Sequence, residues 1–311
     1  MRVAGTEPTS ERILLTGVTG QVGGELLLPL ASLGEVVAPS HEQVDLADVA
    51  NDFRSLRETI RTVRPRWIVN PAAYTAVDKA ESEPELAYAV NRDAVRAIGE
   101  EADRIGAAVI HFSTDYVFDG TGTVAYVETD APGPMSVYGA SKLAGEVALA
   151  ETGAAHLIFR TSWVYGGRGK NFLLTILKLA REREVLRVVG DQHGAPTWSK
   201  DLARMTATVM RRCDAESSPL RQIVERLGGI YHAACAGETT WYGFAAEAVR
   251  LQKKQEPTAK LALIEEIETS EYPTPARRPM NSRLSCKKLE EVFGWKMMDW
   301  QKSLSEVMAE L

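Results

Sequence analysis

Short apolar runs alternate with longer segments of helical spacing through the first half of the chain. The short runs, which predict buried strands, are residues 12–16, 35–38, 67–70, 107–113 and 156–161. Helical spacing of apolar residues marks 21–30, 51–64, 84–105 and 136–151. Strands that alternate with helices predict βαβ units and a parallel sheet with helices on both faces. Such a sheet binds ligands beyond the carboxyl ends of its strands.

The alternation loosens after residue 161. Helices are predicted at 171–182, 199–212, 241–253, 285–293 and 300–311, strands at 186–189 and 229–234, and a proline-rich loop at 272–279. We therefore predict an α/β protein with a doubly wound parallel sheet in residues 1–162. Residues 163–311 form mostly a smaller mixed α/β substrate-binding domain, and we expect some of its segments to return to the first domain.

Composition narrows the class of protein. The 311 residues are 45% hydrophobic and 25% charged, and the net charge of -6 provides no global basic field for nucleic acid. No segment approaches the roughly 20 apolar residues that cross a bilayer, and the polar N-terminus lacks a secretion signal. Three cysteines without a CxxC pair fit a reducing compartment. We expect a cytoplasmic protein without nucleic-acid or membrane partners.

A segment with three glycines directly follows the first strand and opens the first helix, where residues 16–23 read TGVTGQVG. Gly17, Gly20 and Gly23 permit a tight turn and a close approach of the backbone to a diphosphate, and the helix N-terminus supplies free N–H donors. A plain strand-to-helix turn is the alternative. The place of the turn in a βαβ series favours a dinucleotide site, so we assign residues 1–162 as an NAD(P)-binding domain.

The end of the second predicted strand bears on the choice of cofactor. Residues 38–41 read APSH, without the acidic residue that selects the free 2′-hydroxyl of NAD. Ser40 and His41 could accept a 2′-phosphate, which favours NADPH, with NADH as the alternative; otherwise they are loop residues. Asp45 and Leu46 follow, where they could face the adenine ring.

Tyr138 and Lys142 are four residues apart on a predicted helix and therefore share one face. A nearby ammonium and a positive nicotinamide ring favour the phenolate, which makes the tyrosine a usable acid and base. Ser113, Thr114 and Asp115 end the preceding strand on the ligand side of the sheet, where a hydroxyl can bond a substrate oxygen. YxxxK alone also fits an exposed helix, but with the glycine turn the set predicts hydride transfer.

Six segments resemble the dTDP-4-dehydrorhamnose reductase family, which is of the extended short-chain dehydrogenase/reductase type. They are TGVTGQVG at 16–23, STDYVFDG at 113–120, VYGASKLAGE at 137–146, RTSWVYG at 160–166, GDQHGAPT at 190–197 and PARRPMNSRL at 275–284. The resemblance runs in order through nearly the whole chain. It implies a Rossmann-type cofactor domain and NADPH-dependent reduction of the C4 keto group of dTDP-4-dehydro-L-rhamnose to dTDP-L-rhamnose.

The resemblance also implies roles for individual residues. Tyr138 would be the proton donor, Lys142 its electrostatic partner and ribose anchor, and Thr114 the hydroxyl on the keto oxygen. Asp115 and Trp163 would contact the sugar nucleotide. The other cofactor contacts that it implies are Gly20, Gln21, Val22, Asp45, Leu46, Ala72, Ala73 and Tyr74.

Trp163 and Arg278 support the prediction of the substrate. An indole can present a flat face to the apolar C6 methyl of a deoxysugar, and a guanidinium pairs with a diphosphate in a planar fork. The alternatives are that the tryptophan is a core residue and the arginine a surface charge. Together with the resemblance, these residues predict a dTDP-linked 4-keto-6-deoxy sugar as the substrate.

Several alternatives stay open. A dehydratase of this superfamily needs an acidic pair after the threonine, but Thr114 is followed by one acid and then by Tyr116. An epimerase, another sugar-nucleotide reductase, and a non-catalytic regulatory subunit like the beta subunit of methionine adenosyltransferase are the rivals. The histidines are scattered, so we predict no metal site, while a divalent ion such as magnesium stays open. We expect a monomer or homodimer. Two departures from the family are an extension of about ten N-terminal residues and a long stretch at 211–227.

Overall fold

The computed structural model describes residues 11–311, so the N-terminal extension noted above lies outside the described residues. Strands in this range are β1 (Arg12–Leu15), β2 (Glu35–Val37), β3 (Trp67–Asn70), β4 (Ala108–Thr114), β5 (His156–Thr161), β6 (Val164–Tyr165), β7 (Val185–Val189), β8 (His193–Gly194), β9 (Thr197–Trp198), β10 (Gly229–His232), β11 (Thr239–Thr240) and β12 (Leu263–Ile267).

The α-helices alternate with the first five strands and then dominate the second half. They are α1 (Gln21–Ala31), α2 (Arg54–Val63), α3 (Val77–Ala80), α4 (Pro84–Tyr88), α5 (Ala94–Ile105), α6 (Val137–Glu151), α7 (Phe172–Glu182), α8 (Ser199–Asp214), α9 (Leu220–Leu227), α10 (Trp241–Gln255), α11 (Lys287–Phe293) and α12 (Trp300–Glu310). Among the described residues, no helix combines the length and apolar character that spanning a membrane requires.

Six strands form one parallel sheet in the order β10-β5-β4-β3-β1-β2. Because β1 lies between β2 and β3, the chain crosses from one side of β1 to the other after β2. In an open parallel sheet, the crevice outside such a switch point is where ligands bind. The order of the strands therefore locates the site before any side chain is considered.

Alternate residues of each strand belong to two separate cores, as the period of a β-strand requires. Ile13 and Leu15 of β1 pack in the core that α1 and α8 cover, while Leu14 packs in the core under α2 and α5. All seven residues of β4 are buried, which explains its nearly continuous apolar run. The sheet is thus the middle layer of three.

The second half of the chain contributes to both parts of the molecule. β10 extends the six-stranded sheet beside β5, and α8 packs against α1. The other elements pair β7 with β12 in parallel and bury a core between α7, α10 and α12 that includes Phe244 and Trp300. The division of the chain at residue 162 stays a prediction, although segments after it do return to the sheet.

Three local features differ from the pattern predicted by the sequence. The helix expected over 84–105 is interrupted by a π-helical segment, Ala89–Asp93, between α4 and α5. The Asn91 side chain in it accepts a hydrogen bond from the Tyr74 backbone N–H at 2.9 Å and donates to the Tyr74 carbonyl at 3.1 Å. Helix α9, within the long stretch at 211–227, and strand β12 were not predicted at all.

Candidate active site

A cleft of about 620 Å³ opens at the carboxyl ends of β1, β3, β4 and β5. Most of the cofactor residues predicted from the sequence line it. These are Gly17, Gly20, Gln21, Val22, Gly23, Asp45, Leu46, Ala72, Ala73, Tyr74, Tyr138 and Lys142. The fold therefore brings together side chains that are more than a hundred residues apart in the chain.

The glycine turn is tight because backbone atoms occupy the space that side chains would need. Gly17 has a φ of +59°, and a Cβ there would lie 2.8 Å from the Cα of Ala72. A Cβ on Gly23 would lie 2.1 Å from the Gly17 carbonyl oxygen. Gly20 is the cap residue of α1 and has no side chain to cap the helix. The first N–H groups of α1 are therefore left without a capping partner at the cleft. Such a helix start suits a diphosphate.

A segment of the second half of the chain crosses over this turn. Gln21 Nε2 donates to the Val164 carbonyl at 3.3 Å, and Asn171 Nδ2 donates to Gln21 Oε1 at 3.0 Å. Between these contacts, Gly169 and Lys170 line the cleft. Sequence reasoning missed Lys170, although it lies just beyond the RTSWVYG segment and before a predicted helix. The cleft is thus closed on one side by residues that follow the first 162.

The residues at the end of β2 only partly behave as predicted. Pro39 and His41 line the cleft, but Ser40 does not. Instead, Ser40 is exposed, and its backbone N–H donates to Gln43 Oε1 at 2.8 Å. His41 Nε2 lies 3.7 Å from Asp45 Oδ1. The structure therefore places His41, rather than Ser40, at the wall where a ribose 2′-substituent would be read.

Tyr138 lies in the first turn of α6, which the Ser136 hydroxyl caps by accepting from the Gly139 N–H at 3.2 Å. Its ring meets Tyr116 edge-on, with 5.5 Å between the ring centroids. Burial raises the pKa of Tyr138 to about 12, and a hydrogen bond with Thr114 partly opposes that shift. In the chain itself the protonated phenol is favoured at neutral pH, which is the form that a proton donor needs.

Thr114 connects the tyrosine to a buried carboxyl group. Its hydroxyl donates to Asp115 Oδ1 at 3.0 Å and accepts from the Tyr116 N–H at 3.2 Å. Burial raises the pKa of Asp115 to about 6, against the opposing hydrogen bonds of Ser282 and Thr114. Neither Thr114 nor Asp115 lines the 620 Å³ cleft, and both lie beside Tyr138, which does.

Lys142 points toward the sheet. Its Nζ donates to the Phe112 carbonyl at 2.6 Å and lies 3.2 Å from His111 Nε2. Burial lowers the pKa of Lys142 to about 8, and the charge of Glu146 partly opposes that shift. The sequence predicts an ammonium that favours the phenolate of the neighbouring tyrosine, together with a nicotinamide ring. In the structure, Nζ is held by contacts from β4, and the effect of Lys142 on the tyrosine stays a prediction.

Two buried hydroxyls beside these residues have no hydrogen-bond partner within the described part of the chain. They belong to Ser113, at the end of β4, and Thr161, at the end of β5, and both residues line the cleft. Buried polar groups are nearly always paired, so such groups indicate a polar ligand. Their place beside Tyr138 and Lys142 fits the carboxamide or ribose of a nicotinamide nucleotide.

A second cavity of about 660 Å³ is lined by residues of the proline-rich loop, including Arg277 and Arg278, and by Met135, three residues before Tyr138. Arg278 Nη2 pairs with Asp78 Oδ2 at 2.7 Å, while its Nη1 is buried without a partner among residues 11–311. Arg278 is therefore held in place by an acid, yet it keeps a donor available.

Trp163 lines neither of these two cavities. Its indole is stacked on Trp241, with 3.7 Å between ring centroids and 13° between planes, and Gly194 lies against the same ring. Its φ of +47° is in the left-handed region that side chains other than glycine rarely adopt. The predicted contact of Trp163 with a sugar stays a prediction. Within the described residues, no group of three or more His, Cys, Asp or Glu side chains could hold a metal ion.

Comparison with known proteins identifies the family. The model of the RmlD substrate binding domain matches residues 11–311. The chain belongs to this RmlD family. The dTDP-4-dehydrorhamnose reductase of Escherichia coli (strain K12) is 48% identical to it over 299 residues, which are 96% of this chain and 97% of that protein.

Solved structures of RmlD relatives have the same fold. A dTDP-4-dehydrorhamnose reductase from Clostridium acetobutylicum has a TM-score of 0.85 at 33% identity, covering 96% of this chain and 99% of that one. The enzyme from Bacillus anthracis, solved in complex with NADP, has a TM-score of 0.84 at 31% identity, covering 97% and 100%. The predicted family and the predicted Rossmann-type α/β fold are therefore confirmed.

Proposed function

We propose that this chain reduces the C4 keto group of dTDP-4-dehydro-L-rhamnose to dTDP-L-rhamnose with NADPH. The observation that carries the proposal is the position of Tyr138, which is buried in the wall of the 620 Å³ cleft beside Lys142 and lies three residues after Met135 of the second cavity. A relative at 48% identity over nearly the full chain bears the name of this activity. Reduction of a ketone needs one hydride and one proton, and Tyr138 would provide the proton.

The cleft offers a matching group to each part of NADPH. The glycine turn and the start of α1 would hold the diphosphate, while the loop after β2 would meet the adenosine end. Lys142 and the unpartnered hydroxyls of Ser113 and Thr161 would hold the nicotinamide riboside. When bound there, NADPH supplies the hydride that adds to C4 of the sugar.

The proton would pass directly from a side chain of the protein to the keto oxygen of the sugar. As hydride adds to C4, negative charge develops on the keto oxygen, and the Tyr138 hydroxyl would donate its proton to that oxygen. The Thr114 hydroxyl, which donates its one hydrogen to Asp115 in the structure, would turn that hydrogen to the keto oxygen when the sugar binds. The C4 carbonyl thus becomes a hydroxyl, and Tyr138 regains a proton from solvent.

The sugar nucleotide would occupy the second cavity. Met135, three residues before Tyr138, lines this cavity, and the Tyr116 ring packs edge-on against Tyr138. The free Nη1 of Arg278 suits a diphosphate oxygen. We place the deoxysugar near Tyr138 and the nucleotide toward the proline-rich loop on that basis.

A turnover assay tests the proposal against its rivals. The purified chain is mixed with NADPH and dTDP-4-dehydro-L-rhamnose, NADPH absorbance is followed, and the product is identified by NMR. We expect one NADPH consumed for each dTDP-L-rhamnose formed, and much slower turnover of the UDP-linked analogue. Conversion of the sugar without net consumption of NADPH would indicate an epimerase. Tight NADPH binding without any turnover would support the regulatory-subunit alternative.

A monomer or homodimer, and a cytoplasmic location, stay predictions. Size-exclusion chromatography with light scattering determines the first, with and without magnesium. A mass that changes on addition of EDTA would bring in the divalent ion that the residues do not predict.

A further inference from the structure

A chain of buried polar side chains runs across three adjacent strands to the lysine of the active site. Thr16 Oγ1 lies 2.5 Å from Asn70 Oδ1, Asn70 Nδ2 lies 3.1 Å from His111 Nδ1, and His111 Nε2 lies 3.2 Å from Lys142 Nζ. All four residues are at most 3% exposed. The register of the sheet pairs Asn70 of β3 directly with His111 of β4. These four side chains connect the start of the glycine turn, at Thr16, to Lys142.

The donors and acceptors in this chain depend on one another. Burial and the charge of Lys142 hold the pKa of His111 well below its usual 6.5, so its imidazole is neutral and carries a single N–H. An ammonium only donates, so a charged Lys142 requires Nε2 to accept and Nδ1 to carry the hydrogen. Nδ1–H must then donate to the amide oxygen of Asn70, and the Asn70 NH₂ group donates to Thr16.

The opposite arrangement serves a neutral Lys142. Nε2–H then donates to the amine, Nδ1 accepts from Asn70 Nδ2, and Thr16 donates to Asn70 Oδ1, which corresponds to the orientation of the Asn70 amide in the structure. Turning the Asn70 amide over interconverts the two arrangements. The two arrangements therefore differ in the direction of every hydrogen bond from Thr16 to Lys142, and only the first is compatible with a charged Lys142.

We propose that His111 is a positioning residue for Lys142, and that Asn70 determines which imidazole nitrogen carries the hydrogen. His111 keeps an acceptor at the ammonium in a place that excludes water, and so sets the pH at which Lys142 loses its charge. Two other charged side chains lie near Lys142. Glu146 is on the same helix, and Arg160 on β5 pairs with Glu146 at 2.6 Å. Electrostatic repulsion by His156 also lowers the pKa of His111. The inference rests on the proposed function only in that Lys142 contacts NADPH.

The pH dependence of NADPH affinity tests this inference without any sugar substrate. NADPH fluorescence titrations across pH give the affinity, and we expect it to weaken as pH rises through about 8, where Lys142 loses its charge. In His111→Leu, the ammonium loses an acceptor, so the midpoint moves to lower pH by about one unit. His111→Gln places a side-chain oxygen near the position of Nε2 and restores most of the difference.

Asn70→Asp gives a shift in the opposite direction. A carboxylate only accepts, so it holds the hydrogen on Nδ1 and leaves Nε2 as a permanent acceptor for the ammonium. Lys142 then keeps its charge to higher pH, and the midpoint of NADPH affinity rises. In the double variant Asn70→Asp, His111→Leu the upward shift should shrink, because the carboxylate acts through the imidazole. A merely structural role for these residues does not produce shifts of opposite sign.

His232→Leu is the matched control, because it removes another fully buried imidazole that lies on β10. We expect it to leave the midpoint unchanged. Equal midpoints in the parent and a folded His111→Leu would overturn the inference, and if that variant does not fold, an Asn70→Asp midpoint at or below the parent value overturns it. Absence of turnover with the dTDP-sugar, alongside the expected shifts in NADPH affinity, would refute the proposed function and leave this inference standing.

Discussion

Replacing Trp163 by alanine and by glycine separates the contribution of its indole from the strain of its backbone. The φ of +47° places Trp163 in the left-handed region, which costs a residue with a Cβ roughly 1–2 kcal/mol. Alanine keeps that strain and glycine removes it. Against this, glycine loses about 0.4–1 kcal/mol through the greater freedom of the unfolded chain. We expect Trp163→Gly to be more stable than Trp163→Ala by about 0.5–1 kcal/mol.

Both variants lose the stack on Trp241. A pair of aromatic rings contributes about 0.5–1.5 kcal/mol beyond the burial of its area, and the 3.7 Å separation is a close stack. Each variant should therefore be less stable than the parent, with alanine the lowest of the three. Urea unfolding followed by circular dichroism measures the order, provided that the slopes of the transitions agree.

Trp241 provides the matched control, because it forms the other half of the stack and begins helix α10 in ordinary helical geometry. There alanine should equal or exceed glycine in stability, since glycine is unfavourable in a helix. An alanine variant at 163 that is as stable as the glycine variant would refute the argument from strain. Kinetics on the same proteins address the sugar: equal rises in KM for both variants indicate a contact of the indole with substrate, and unchanged KM would remove Trp163 from the site.

Four further predictions concern the chemistry. Tyr138→Phe should lower kcat by roughly 10²–10⁴ while NADPH affinity and folding are kept, because only the proton donor is lost; half the parent rate would contradict the assignment. Lys142→Met should weaken NADPH binding in fluorescence titrations as well as the rate, and unchanged affinity would rule out its ribose contact. Arg278→Ala should raise KM for the dTDP-sugar without affecting NADPH affinity, whereas a parent-like KM would relocate the diphosphate. The kcat/KM of the chain should be higher with NADPH than with NADH, because no acid follows β2. Equal values would contradict this. His41→Glu should lower the ratio of kcat/KM with NADPH to kcat/KM with NADH.

Much of the fold could be predicted because parallel strands, which are buried on both faces, leave short apolar runs between helices. β3 and β5 have the predicted bounds, and the ends of the other sheet strands differ by one or two residues. Helix α9 also carries a readable signal, with Leu220, Ile223 and Val224 on its buried face, but its position in a long polar stretch concealed it. Strand β12 carries none, since only Ile267 at its end is buried.

The interruption by a π-helical segment in residues 84–105 illustrates what apolar spacing cannot show. The hydrophobic pattern continues through it, yet Asn91 turns inward, bonds the Tyr74 backbone, and packs against Gly145 so closely that a Cβ there would lie 2.0 Å from the Asn91 carbonyl oxygen. At this segment the Asn91 side chain bonds the backbone of another segment, and its backbone carbonyl meets a glycine of helix α6. Neither residue indicates the other by its place in the sequence.

The site also has parts that local sequence patterns predict and parts that depend on contacts between distant segments. The glycine turn and the pair Tyr138 and Lys142 are local patterns, and the order of strands brings local patterns at strand ends to one edge of the sheet. His111, the partner of Lys142, belongs to no such local pattern, because it lies inside a buried strand and resembles an ordinary core residue. Its meaning depends on the register that pairs it with Asn70 and on a helix packed on top. His111 is more than a satisfied core residue, because it is neutral and has polar partners on both nitrogens. The Asn70 amide on one side determines which nitrogen carries the single hydrogen. That in turn determines whether the other nitrogen can accept a hydrogen bond from Lys142.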